Sequence, residues 1–173
     1  MKNAIVYAVN NNPIFISCMV NSINSIYANN SHELLETIDL YILTTYQNIK
    51  LTQLNLIAKP NIVMVDYTKI IHDEIKKHAS FKRFSEGTLL RFELFGNKTF
   101  HKYDNILYLD CDTVVNGDIS ELFEKKDKPQ IQMNPGNKSA CTSLDLYDVE
   151  NLQYYCNAGV FLINPSAFDE NIL

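Results

Sequence analysis

The sequence is sparing with the residues that punctuate or cross-link a chain. Its 173 residues include only five glycines and five prolines, too few for a collagen repeat or a flexible linker. The four cysteines, Cys18, Cys111, Cys141 and Cys156, form no Cys-x-x-Cys pair. That spacing argues against a zinc knuckle or a thioredoxin-like motif and for free, reduced thiols. No apolar run approaches the roughly 18 residues of a membrane span. The first run, Ala4 to Val9, is broken by Asn10-Asn11-Asn12, too soon and with flanks too polar for a signal peptide. The expected compartment is the cytoplasm. Positive charge is scarce as well: 15 Lys and Arg stand against 20 Asp and Glu, a net charge of −5. That balance argues against a nucleic-acid footprint. An anionic ligand would need a local device here, such as a cation, a helix N-terminus or a placed Arg.

What is present is material for a core. Hydrophobic residues make up 46% and charged residues 20%, ordinary globular usage. Ala4-Ile5-Val6-Tyr7-Ala8-Val9 is a β-branched, nearly continuous apolar run, the signature of a strand covered on both faces. Asn12 and Pro13 suit a helix cap and first turn. Ile16, Met19, Val20, Ile23 and Tyr27 then fall on one helical face. The pattern repeats with a strand at Ile38 to Leu43, a helical stripe of Leu51, Leu54 and Ala58 closed by Pro60, and a strand at Ile62 to Val65. Alternating strands and helices predict an α/β fold with a mostly parallel sheet. Further along, Ser85 to Phe95 reads as a helix. Ile106 to Leu109 reads as a strand, and Asp118 as the cap of a short helix through Phe123. Gln130 to Met133 and Ala158 to Ile163 are strand candidates. Lys76, Lys77, His78, Lys82 and Arg83 form a basic cluster whose plain reading is a solvated face.

Chemistry concentrates at Asp110-Cys111-Asp112, directly after the apolar strand Ile106-Leu107-Tyr108-Leu109. In extended backbone, residues two apart point the same way. Two such carboxylates would offer hard oxygens to Mg²⁺ or Mn²⁺. Strand-end Asp residues also make turns and caps, so the pair alone is a weak signal. Its place at the carboxyl end of a strand, where open α/β sheets bind ligands, strengthens it.

The run Tyr103 to Val115 resembles the Asp-x-Asp segment of family 8 glycosyltransferases. Val6 to Asn12 is similar to that family's first strand and nucleotide-binding turn, and Thr88 to Phe92 to its helix carrying an Arg. Ser143 to Leu146 resembles an acceptor-side segment, and Tyr155 to Asn164 the Phe-Asn-Ala-Gly-Val segment. The resemblance implies a three-layer α/β/α nucleotide-diphospho-sugar transferase fold of the GT-A type, spanning 1–173 as a single domain. It implies a retaining glycosyltransferase that moves a hexose from a UDP-sugar to a glycan acceptor, with Mn²⁺ or Mg²⁺ as cofactor. Asp110 and Asp112 would bind the metal, with Cys111 between them in the donor site. Ala8, Asn10 and Asn12 would line the uridine pocket. Arg91 would touch the donor sugar or a neighbouring carboxylate. Asn157, Ala158 and Gly159 would lie beside the sugar, and Asp145 would bond its hydroxyls.

Two departures from the family pattern stand out. Asn10-Asn11 replaces acidic residues common in that turn, although an amide can still bond a uracil edge. The family also continues, beyond the position of Leu173, with segments that supply a metal-binding His and a diphosphate-binding Lys. The expectation is a chain lacking the family's C-terminal part, weak in donor binding and poor in transfer. Peripheral contact with the inner face of the membrane through that part, and homo-oligomerisation through an uncovered edge, are further expectations. A catalytically silent nucleotide-sugar-binding or partner-binding module is the alternative. A dinucleotide oxidoreductase is disfavoured because no Gly-x-Gly-x-x-Gly follows the first strand.

Overall fold

The structure, a computed structural model, describes residues 1–45, 56, 59–65, 86–124, 131–135 and 156–165. The residues of the expected helical stripe, Leu51, Leu54 and Ala58, the basic cluster at 76–83 and the candidate Asp145 lie outside the described residues.

A sheet of six strands organises the described chain. Strand β1 (Asn3–Ala8) leads into helix α1 (Pro13–Asn29) and the short helix α2 (His32–Glu36). Then come β2 (Ile38–Thr44), β3 (Asn61–Met64), the short helices α3 (Glu86–Leu90) and α4 (Glu93–Gly96), and β4 (Asn105–Leu109). Helix α5 (Ser120–Glu124), β5 (Ile131–Pro135) and β6 (Cys156–Ile163) complete the set. The spatial order is β3-β2-β1-β4-β6-β5. β1 pairs in parallel with β2 and β4, and β2 with β3. β6 runs against both β4 and β5. The sheet is thus mixed but mostly parallel, with the reversed strand wedged beside β4.

Strand alternation divides the core into two layers. Ile5, Tyr7 and Val9 face α1, packing with Met19, Ile23 and Ile26. Ala4, Val6 and Ala8 face the opposite way, towards Leu90, Leu94, Tyr108 and Phe161. β1 is buried along its whole length, as its unbroken apolar run predicts. Burying each Ile or Leu contributes roughly 1.5–3 kcal/mol.

Asn12 caps α1 by accepting from the Ile14 amide at 2.9 Å, and Pro13 occupies the first turn. The buried face is Met19, Ser22, Ile23 and Ile26, rotated from the expected stripe, so that Ile16 and Tyr27 pack only at its margin. Ser22 takes a core position because its hydroxyl is bonded to the Tyr7 hydroxyl at 2.8 Å. The predicted helix over Ser85 to Phe95 is two helices with a break at Arg91-Phe92. The Phe92 amide bonds the Leu89 carbonyl at 3.1 Å, while Nε of Arg91 takes the Thr88 carbonyl at 2.7 Å. The arginine thereby competes for the acceptor that a continuous α-helix gives to residue 92.

Candidate functional site

β1 and β4 end side by side, and two adjoining open cavities meet at the turn that follows β4. One, of ≈ 190 Å³, is lined among others by Ala8, Phe15, Arg91, Tyr108, Asp110 and Asp112. The other, of ≈ 260 Å³, is lined by Asp110, Asp112, Thr113, Asn157, Gly159 and Val160. The two carboxylates are the wall they share.

β4 stops at Leu109, and the backbone then turns: the Thr113 amide donates to the Asp110 carbonyl at 3.2 Å. Extended geometry therefore does not persist through Asp112, contrary to the alternation argument. A turn presents both carboxylates to the cavities and sends Cys111 inward, where its Sγ donates to the Ala8 carbonyl at 3.1 Å.

Asp110 is gripped from several sides. Its Oδ1 accepts from Nη2 of Arg91 at 3.0 Å and from the Tyr108 hydroxyl at 2.9 Å. Its amide donates to the Gly159 carbonyl at 2.6 Å. A Cβ on Gly159 would stand 2.8 Å from Oδ2 of Asp110 and 3.0 Å from Oδ1 of Asn157, so the missing side chain is what leaves Oδ2 room. Asp112 is exposed, and its carboxylate has no hydrogen bond among the described residues. Oδ2 of Asp110 and the carboxylate of Asp112 carry no hydrogen bond from the described residues and face the cavities. No group of three or more His, Cys, Asp or Glu side chains suited to a metal occurs among the described residues.

Arg91 contacts a neighbouring carboxylate, one of the two partners expected for it. Beyond Asp110 and Thr88, its Nη1 donates to the Ala158 carbonyl, and the guanidinium lies over the Tyr108 ring at 4.9 Å. This one side chain ties α3, β4 and β6 together. Ala158 enters through its backbone alone.

Asn10 and Asn12 are at the end of β1 but line neither cavity. Oδ1 of Asn10 accepts from the Asn12 amide at 3.1 Å, and Asn12 caps α1. Each amide oxygen accepts one bond within the turn. Asn157 does line the second cavity, and its Oδ1 accepts from the Gly159 amide at 2.7 Å.

The sequence reading missed Tyr108, Thr113 and Phe15. The signal for Tyr108 was its position two residues before Asp110, on the same face of the strand. Burial above all raises the Tyr108 phenol pKa well beyond its usual value, so the group stays protonated and donates. Cys111 is pushed up to about 12, first by burial and then by the charges of Asp110 and Asp112. Its thiol is an unreactive one, since the thiolate is the reactive form, and the residue still contributes to the lining of the first cavity. At pH 8 the native protein should leave Cys111 unlabelled by iodoacetamide while the unfolded chain labels it fully, as peptide mass mapping would read. Equal labelling rates in the two states would contradict this.

Among the described residues no helix is long and apolar enough to cross a membrane. Residues 4–173 match the profile of Glycosyl transferase family 8. No curated protein is significantly similar in sequence. Among solved structures, the galactosyltransferase LgtC in complex with donor and acceptor sugar analogues superposes with a TM-score of 0.60. It is 20% identical over 94% of this chain and 58% of its own. Mouse xyloside xylosyltransferase 1 gives a TM-score of 0.55 at 19% identity, over 94% of this chain and 66% of that one. The mannosyltransferase Ktr4p of S. cerevisiae gives 0.57 at 8% identity, over 94% and 56%. At these identities the likeness is one of fold, the GT-A glycosyltransferase architecture. The chain spans between half and two thirds of the length of these proteins.

Proposed function

The chain belongs to glycosyl transferase family 8, a hexosyltransferase-like family whose members bind a sugar donor and an acceptor, and on that premise we propose that it binds a UDP-hexose at the Asp110-Cys111-Asp112 turn, with Mn²⁺, and transfers the hexose with retention to a glycan acceptor. The observation that carries this reading is the pair of carboxylates shared by two adjoining cavities at the carboxyl ends of the strands. Ligands of open α/β sheets lie at that edge.

The residues suit a hard divalent cation. Oδ2 of Asp110 is the oxygen left over from Arg91 and Tyr108, and the absent Cβ of Gly159 keeps a cradle open in front of it. Asp112 adds a second carboxylate, and diphosphate oxygens and water suit the remaining positions. Bound there, the cation would neutralise negative charge on the departing diphosphate. Arg91 holds Asp110 oriented. The cavity walled by Ala8 and Phe15 suits the nucleoside, and Asn10 and Asn12, in the turn after β1, are retained as candidates for the base edge. The cavity lined by Asn157, Gly159 and Val160 suits the hexose. Asp145, outside the described residues, is retained as a candidate for its hydroxyls. The residues 1–173 are read as one nucleotide-sugar-binding domain.

Titration calorimetry with UDP tests the donor site. Mn²⁺ should tighten binding by an order of magnitude or more, and Asp112→Asn should remove most of that gain. UDP should also outcompete ADP and GDP. Equal UDP affinity with and without Mn²⁺ sinks the metal role, and indifference among the three bases sinks the uridine preference. A radiolabelled UDP-hexose assay, scoring hydrolysis and transfer, separates a transferase from a silent binding module.

A further inference from the structure

We propose that Ser22, on α1 and far from the site in sequence, is a positioning residue that sets the Asp110-Cys111-Asp112 turn through a directed chain of hydroxyls. The functional meaning of the turn rests on the donor-site reading above; the chain of hydroxyls stands on its own geometry.

The chain runs Tyr7, Ser22, Thr113, Asp110. The Tyr7 hydroxyl lies 2.8 Å from the Ser22 hydroxyl, and Ser22 lies 2.9 Å from the Thr113 hydroxyl. The Thr113 hydroxyl donates to the Asp110 carbonyl at 2.8 Å. That last bond fixes the direction of the others. A hydroxyl has one proton, and Thr113 has spent its own on Asp110. Thr113 therefore accepts from Ser22, and Ser22, its proton spent in turn, accepts from Tyr7. Every O–H points towards the turn, an arrangement in which successive bonds polarise and strengthen one another.

Tyr7 and Ser22 are fully buried. Hydroxyls placed in an apolar layer are costly unless bonded, and an Ala with a Phe would fill the same positions without that cost. What the hydroxyls add is a fixed address for Thr113. The adjoining loop is held by the same helix face: the Val115 amide donates to the Ser25 hydroxyl at 2.9 Å, Asn29 donates to the Val115 carbonyl at 2.9 Å, and the Ile119 amide donates to Asn30 at 2.9 Å. Asp110 has further anchors in Arg91, Tyr108 and Gly159, but Asp112 has no hydrogen bond of its own among the described residues. Its carboxylate goes where the turn puts it. Ser22 acts on Asp112 by holding the turn closed at Thr113.

Amide hydrogen exchange, combined with UDP titration with and without Mn²⁺, tests this on the full chain. Ser22→Ala and Thr113→Val should each speed exchange of the Thr113 amide by about fivefold or more, with β4 and the Val115 amide unchanged. Thr113→Ser, which keeps the hydroxyl, should show the parent's exchange rate at residue 113. The Mn²⁺-dependent gain in UDP affinity should fall by a similar factor in Ser22→Ala, with metal-free affinity unaltered. Should Ser22→Ala fail to fold, Thr113→Val, on the half-buried turn, carries the same expectation for exchange. Unchanged exchange at Thr113, or a rise spread equally over β4, overturns the positioning role. If the parent shows no Mn²⁺-dependent gain while exchange rises at Thr113 alone, the donor-site reading fails and the positioning role survives.

Discussion

Replacing Arg91 with Ala should cost about 2–3 kcal/mol of stability and abolish donor binding at the Asp110-Cys111-Asp112 turn. The guanidinium serves Asp110, Ala158 and Thr88 together, so its removal takes the cation from a carboxylate that keeps the Tyr108 hydroxyl and takes a donor from the Ala158 carbonyl. Breaking a buried ion pair from one side costs roughly 3–5 kcal/mol, because the remaining charge stays desolvated. The lower figure of about 2–3 kcal/mol applies here: the Arg91 side chain is 12% exposed but that of Asp110 is 34% exposed and regains water. For a domain of this size the melting temperature should drop by about 5–10 °C. Arg91→Lys should recover little, since an ammonium on a flexible stem cannot reproduce a planar fork stacked on Tyr108. Thermal melts and UDP titration with Mn²⁺ check both variants. A stable Arg91→Ala protein that still binds UDP as the parent does would show that Asp110 needs no cation beside it.

The same arginine marks the boundary of what could be read without coordinates. β1, β2 and β4 were legible because strands buried on both faces are written as unbroken apolar runs, and such runs have little else to become. The reversed direction of β6 was not legible, because an apolar run carries no arrow; only its antiparallel partnership with β4 and β5 defines it. The break in the predicted helix at Arg91 was hidden for a related reason. Local propensity over Leu89 to Phe95 favours a helix, and the side chain that redirects it does so through Asp110 and Ala158, 19 and 67 residues away. In the site, Asp110 and Asp112 were singled out by their place at the carboxyl end of a strand and by the family resemblance, the pair alone being a weak signal. Asn10 and Asn12 were expected at a base edge, yet asparagine serves equally as turn and cap, and here both side-chain oxygens are used that way. Ser22 drew no expectation from the sequence. Its role depends on a hydroxyl contributed by Thr113, 91 residues later, and nothing local in α1 announces it.

Gly159→Ala should uncouple binding from folding. The added Cβ would sit 2.8 Å from Oδ2 of Asp110, closer than real Cβ contacts allow, and 3.0 Å from Oδ1 of Asn157. The Asp110 carboxylate cannot simply swing aside, since its other oxygen is held by Arg91 and Tyr108. Either those bonds lengthen or β6 moves away from β4, along the bond between the Asp110 amide and the Gly159 carbonyl. Small-to-large strain of this kind costs roughly 1–3 kcal/mol, which a domain with two core layers can absorb. The oxygen displaced is the one proposed to face the cation, so Mn²⁺-dependent UDP affinity should fall by at least about tenfold while the melting temperature falls only modestly. Gly117→Ala supplies the control: nothing lies within 4 Å of its added Cβ, and both stability and UDP affinity should stay at the parent's values. If Gly159→Ala retains the parent's affinity for UDP with Mn²⁺, then Oδ2 of Asp110 is not a contact of the donor site, and the cation, if bound, must be held through Asp112 and the ligand alone.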